Sequence, residues 1–182
     1  MVRFIDRIAC GYPYNSERVI GYSEEELGQI ERLYDIKISG NFREFLLDMG
    51  RSDGGLIGDD PIILYREVMT VRGFVLMQSG MEEEIYSSDF RELSFGKPFV
   101  FSIESETQYF YLRTASDDPE RVFHYDENNE TVIDTGESFV EYMRKIATIA
   151  NQPFWQIEHK GKTRTVPNNR QRVICQGELL II

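Results

Sequence analysis

The chain has 182 residues, 41% hydrophobic and 13% aromatic, enough for one domain whose Phe- and Tyr-rich core folds without a disulfide or a metal staple. The formal net charge is −11; residues 151–182 hold five basic side chains against two acidic ones, a balance of +3, which leaves −14 on residues 1–150. A body this acidic repels phosphate backbones and argues against direct nucleic-acid binding, whereas it attracts a basic protein surface.

The opening stretch from Met1 to Arg7 interleaves charges with apolar residues and lacks the unbroken apolar run of a signal peptide. No segment approaches the length of a membrane span. Cys10 and Cys175 lie near opposite ends with no C-x-x-C spacing, so two free thiols in a reducing cytoplasm are expected, and no metal site. Residues 1–22 read as a lead-in.

The first clear element starts at Ser23. Ser23-Glu24-Glu25-Glu26 is a capping box, Tyr22 and Leu27 stand at the positions of a hydrophobic staple, and Leu27, Ile30, Leu33 and Tyr34 follow helical spacing. The three glutamates are explained by the positive end of the helix dipole. A second helix is predicted from Asn41, with Phe42, Phe45, Leu46 and Met49 on one stripe and Gly50 as a left-handed C-cap. Residues 51–60 read as a loop built on Gly54-Gly55 and Gly58, with Asp53, Asp59 and Asp60 around it; three carboxylates there would repel a phosphate.

Pro61–Tyr65 and Val71–Gln78 read as strands, the second interrupted by Gly73, and a single helical turn is expected around Glu82–Tyr86. Phe99–Ile103, Tyr109–Arg113, Val122–Tyr125 and Thr131–Ile133 follow as strands separated by turn-forming links, which predicts an antiparallel meander. A further helix opens on the capping box Ser138-Phe139-Val140-Glu141, with Phe139, Tyr142, Met143, Ile146 and Ile149 on its apolar face. After Pro153, Phe154–Ile157 and Arg172–Cys175 look like two strands of a hairpin-like extension over residues 151–182, packed on the domain or on a partner. Lys160-Gly161 and Pro167-Asn168-Asn169 serve as its turns, and the end Leu179–Ile182 is too apolar to hang free in water.

This order of elements resembles the SUKH superfamily, shared by fungal cell-wall-synthesis regulators and many bacterial immunity proteins. The resemblance is carried by Ser23–Tyr34, by Phe42-Arg43-Glu44-Phe45-Leu46 running into Gly50 and Gly54-Gly55, and by Tyr109-Phe110-Tyr111-Leu112. Val122-Phe123-His124-Tyr125-Asp126 and Ile133-Asp134-Thr135 with Ser138-Phe139-Val140-Glu141-Tyr142 complete it. It spans about residues 20–150, so a domain over 23–150 is expected. The chain departs from the family at Ser39-Gly40-Asn41, where a proline usually stands, and in carrying its single tryptophan at Trp155. The resemblance implies an α+β fold, a mainly antiparallel sheet with helices packed against it plus the C-terminal β appendage. It also implies a non-enzymatic role, binding and covering a cognate toxin domain that itself acts on nucleic acid. The alternative it leaves open is a regulatory or scaffold module without a toxin partner.

The residues contain no P-loop, no G-x-G-x-x-G after a strand and no H-E-x-x-H, and no cofactor is expected. His124 with Asp126 is the best candidate for a base, since the two share one face of a strand, yet the sequence places no nucleophile beside them. His159 falls in the basic tail. Asp117-Asp118 and Glu120, like Asp126, Glu127 and Glu130, lack calcium-loop spacing and read as turn acids. Glu82-Glu83-Glu84 with Tyr86 mixes acids and an aromatic ring, as a contact patch or as a solvated face beside core aromatics. Asp59, Asp60, Glu82, Glu83, Glu84, Tyr86, Asp117 and Asp118 are therefore the candidate partner-binding residues. The basic tail of Lys160, Lys162, Arg164, Arg170 and Arg172 is expected to pair with the acidic body or with a second copy in a homo-oligomer.

Overall fold

Both capping boxes form as the sequence dictates. Ser23 Oγ accepts from the Glu26 amide while Glu26 accepts from the Ser23 amide, and Ser138 and Glu141 do the same. They start helices Glu24–Tyr34 and Phe139–Asn151. The structure, a computed structural model, describes residues 2–58, 61–66, 70–87, 96–159, 162–168 and 177. Its helices are α1 (Phe4–Ala9), α2 (Glu24–Tyr34), α3 (Gly40–Met49), α4 (Val71–Ser87) and α5 (Phe139–Asn151).

A short pair, β1 (Val19–Ile20) with β2 (Ser52–Asp53), precedes a four-stranded antiparallel meander. The meander runs β3 (Pro98–Glu104), β4 (Gln108–Arg113), β5 (Arg121–Asp126) and β6 (Thr131–Ser138), neighbours in sequence being neighbours in space. The α+β architecture expected from the pattern is the one observed. The core joins its layers through rings: Phe139 of α5 meets Phe101 of β3 at 5.1 Å and Phe45 of α3 at 5.4 Å, and Phe4 of α1 packs on Phe45 at 5.8 Å.

Five expectations need correction or completion. Val71–Gln78 is the first half of α4, a helix and not a strand. Phe74, Gln78, Met81 and Ile85 are buried at steps of four, three and four, a helical stripe that the apolar run and Gly73 concealed. Pro61–Tyr65 is also no strand: Ile63–Tyr65 forms a turn of 3-10 helix, and Ile62 alone bridges to Ser102 of β3. Gly50 ends α3 right-handed, at φ −63°. Its missing side chain matters because a Cβ would sit 2.8 Å from both the Leu46 backbone and the Tyr22 ring. The lead-in holds α1, whose Phe4, Ile5, Ile8 and Ala9 are all buried, and Asp48 of α3 receives the Ile5 amide at its N-terminus. Last, β7 (Phe154–His159) pairs with β8 (Lys162–Pro167), so the observed partner strand is β8. Arg172–Cys175, the turn at Lys160-Gly161 and Leu179–Ile182 lie outside the described residues. The chain does return to the domain at buried Gly177, which donates to the Arg51 carbonyl at 2.8 Å.

At the start of α3, Gly40 takes φ +56°, and the Glu120 carboxylate accepts from both the backbone amide and the side-chain amide of Asn41. A side chain from the β4–β5 link thus receives the start of α3, the job a cap residue does elsewhere.

Candidate functional site

The Gly54-Gly55 loop is closed to anions by its own chemistry. Asp53 is fully buried, and its carboxylate accepts from the amides of Gly55, Ile57 and Gly58 at 2.7 to 2.9 Å. Those amides are the donors a phosphate would need. The loop is a turn, as its composition predicts. Asp59 and Asp60 lie outside the described residues.

His124 and Asp126 do share a face of β5, and Gln108 of β4 stands between them. The Gln108 amide nitrogen donates to Asp126 at 2.8 Å, so its oxygen accepts from His124 Nε2–H at 2.6 Å. The imidazole stacks on Phe110 at 4.7 Å, and burial holds its pKa below the ordinary value against the pull of Asp126. Hydrogen bonds from Asn129 and Gln108 keep the Asp126 carboxyl down to about 2. The arrangement fixes a neutral ring in place. Among the described residues, no group of three or more His, Cys, Asp and Glu side chains is set to hold a metal ion.

On the opposite face of the same hairpin, strand alternation makes half-buried Tyr109 and buried Tyr125 direct cross-strand partners, their rings 6.3 Å apart. The second half of α4 runs beside them. Between helix and hairpin lies a groove of about 540 Å³ lined by Met77, Gly80, Met81, Glu83, Glu84, Tyr109, Tyr125 and Glu127. α4 is set there by Gln78, whose side chain binds the Val100 backbone of β3 in both directions.

The tyrosines hold the carboxylates. Tyr125 Oη donates to Glu84 at 3.2 Å and Tyr109 Oη donates to Glu127 at 2.9 Å. Burial, then the negative charge of these glutamates, raises both phenols to about 12, so each hydroxyl remains a donor at neutral pH. Glu83 is exposed and makes no ion pair among the described residues. Three carboxylates thus line a groove shared with the half-buried Tyr109 and Met77, while Tyr125 and Met81 at its wall are buried.

Of the residues singled out by sequence, Glu83 and Glu84 line the groove. Glu82 is exposed beside them on α4, and Tyr86 is 46% exposed further along the helix. Asp117 and Asp118 are exposed in the link that closes the far end of the β4–β5 hairpin, about 10 Å or more from the Tyr109–Tyr125 rung by strand rise, and Asp118 faces Arg121 at 3.5 Å. They do not join the site. Tyr109, Tyr125, Glu127, Met77 and Met81 were not singled out for it. Register across the hairpin and the packing of α4 bring them in, and neither is written locally.

Lys162 and Arg164 project from β8 into solvent, whereas Lys160, Arg170, Arg172 and Cys175 lie outside the described residues, as does the side chain of His159. Cys10 is exposed at the end of α1. No helix among the described residues is long and apolar enough to cross a membrane.

Fold and groove together define an α+β domain with an acidic, aromatic-walled cleft between one helix and an antiparallel sheet. The chain belongs to the SUKH family described as SMI1-KNR4 cell-wall, which matches residues 24–143. That span contains every residue of the groove and excludes the β7–β8 hairpin. No curated protein and no solved structure matches the chain.

Proposed function

We propose that this protein is a non-catalytic binding domain of the cytoplasm, and that it acts as an immunity protein: it docks on a cognate toxin domain and covers that domain's basic surface. The observation that carries the reading is the groove, which gathers Glu83, Glu84 and Glu127 around Tyr109, and where Glu83 makes no ion pair among the described residues. A toxin domain that cleaves or modifies nucleic acid needs a basic substrate surface, and an anionic groove competes for it. Family membership supports a protein-binding role. The fixed, neutral His124 supports the absence of catalysis, since its described hydrogen-bond partner is an amide and not a nucleophile. Co-expression tests the proposal. Cells made to express the toxin domain encoded beside this protein's gene should grow when this chain is present and fail to grow without it. Death in both cases would refute it.

The family's association with the cell wall favours a second reading, a regulatory module of cell-wall synthesis that binds a protein other than a toxin. Protection from a toxin would not be seen in that case, and a partner would be sought among cell-wall enzymes.

A further inference from the structure

The meander ends on β3 at one side and on β6 at the other. The β3 edge is closed by Gln78 and by the bridge from Ile62. β6 has no strand beyond it among the described residues, and Ile133 at its middle is 51% exposed. An open edge offers a row of backbone donors and acceptors to any strand that fits it. Residues 126–138, the turn into β6 and β6 itself, hold five acidic side chains and no basic one. Asp134 is exposed with Arg121 no nearer than 3.8 Å, and Glu130 is exposed and makes no ion pair among the described residues. Like charges therefore oppose the pairing of β6 with another β6 and favour a basic strand.

The chain carries such a strand. β7 and β8 form a two-stranded sheet of their own, outside the span that matches the family. Lys162, Thr163, Arg164 and Thr165 of β8 are all exposed, and Phe154 of β7 is 54% exposed. A lone hairpin with both faces in water is marginal until a further strand or a packed surface supports it. Residues 160–172 hold five basic side chains and no acidic one. The arm is the chemical complement of the edge, yet within one chain the two belong to separate sheets.

Laid antiparallel, the two strands also match residue by residue. With Val166 opposite Val132, Thr165 falls opposite Ile133, Arg164 opposite Asp134 and Thr163 opposite Thr135. Apolar meets apolar, base meets acid and threonine meets threonine, pairs that each stabilise a sheet. The match ends where it should. Gly136 leaves extended geometry at φ +75°, and Pro167, which has no amide to donate, falls opposite Thr131 at the start of β6.

We infer that β8 of one copy adds to β6 of a second copy as an antiparallel fifth strand, with Arg164 on Asp134. The second copy returns the same contact, so two chains close into a dimer by exchanging their basic arms. The dimer goes beyond the binding role proposed above and requires no toxin.

Sedimentation equilibrium of the whole protein tests it, with Arg164→Glu, Asp134→Lys and an equimolar mixture of the two. Wild type should form a dimer that weakens as salt rises. Each variant alone sets like charges opposite each other at both contacts and should dimerise about tenfold or more weakly. In a mixed pair both contacts become attractive again, so the mixture should recover the dimer. Amide hydrogen exchange of wild type gives a second readout: residues 132–135 and 163–166 should gain protection as concentration rises. If either variant melts early, that readout decides alone. A wild-type monomer up to about 1 mM, a dimer indifferent to both substitutions, or a mixture no stronger than its components overturns the inference. Protection of β6 that ignores concentration would put the arm on its own edge. Protection gained only with the toxin domain would give the edge to a different basic strand. Either result overturns the exchange between copies.

Discussion

Gln78 of α4 grips the backbone of Val100 from both sides, donating from Nε2 to its carbonyl at 2.7 Å and accepting from its amide at Oε1 at 2.9 Å. Val100 lies on β3, an edge of the meander, beside an irregularity in the register between Val100 and Ser102. The side chain stands where a neighbouring strand would, and Ile62 bridges Ser102 just beyond it. An open edge is a template for unwanted pairing, and these contacts cover it. The same bond sets α4 against the sheet and so positions one wall of the groove.

Replacing Gln78 with leucine keeps the apolar stem and removes both partners of a buried backbone unit. The expected loss is about 2–4 kcal/mol of unfolding free energy, from two buried polar groups left unsatisfied. Urea denaturation measures it. Stability equal to wild type would show that the edge is satisfied by other means.

Asp53 gives a sharper case. Its Oδ2 accepts from both Ile57 and Gly58, and Oδ1 accepts from Gly55. Asp53→Asn changes the shape little but puts a donor among donors, because only one of the two ends can still accept. A loss of about 3 kcal/mol or more is expected, read from the shift of the denaturation midpoint. A neutral effect would contradict the account of the loop as an anionic turn closed on its own amides.

The lowered pKa of His124 has a consequence for stability against pH. An ordinary histidine titrates at about 6.5, and burial depresses this one in the folded chain. As pH falls, the unfolded chain therefore takes up the proton first. The stability tied to the neutral ring is complete above about pH 6.5 and is lost as pH drops through the folded value. Glu26 and Glu141 also have lowered values, set first by their bonds to Ser23 and Ser138. Their contribution is lost lower, beneath the ordinary carboxylate range. Wild type should thus lose stability between about pH 7 and pH 5, and His124→Gln should lose less over that window. Parallel curves for the two proteins would show that His124 does not carry the slope.

What could be read from the sequence was local. The boxes at Ser23–Glu26 and Ser138–Glu141 mark helix starts without reference to anything distant, and β3 to β6 are short alternating runs separated by turn residues. α4 hid because Val71, Phe74, Val75 and Leu76 read as a strand, and its true period appears only when Met81 and Ile85 are counted with Phe74 and Gln78. α1 is too short to announce itself, and its burial depends on Phe45 and Phe139, far along the chain. Two of the eight groove residues were legible for the same reason: Glu83 and Glu84 stand out as an acidic run. Tyr109 and Tyr125 are 16 residues apart and meet only through the register of β4 with β5.

The central claim is that this molecule works by presenting negative charge and rings to a basic protein, with no bond made or broken. Stopped-flow mixing with the toxin domain encoded beside its gene, at low and at high salt, tests it most directly. The account predicts an association rate that falls by about tenfold or more as salt rises from about 0.01 M to 1 M. It also predicts that Glu83→Lys with Glu127→Lys slows association at low salt far more than the same change at Asp117 and Asp118. No complex, or a rate indifferent to both salt and the groove charges, would contradict it.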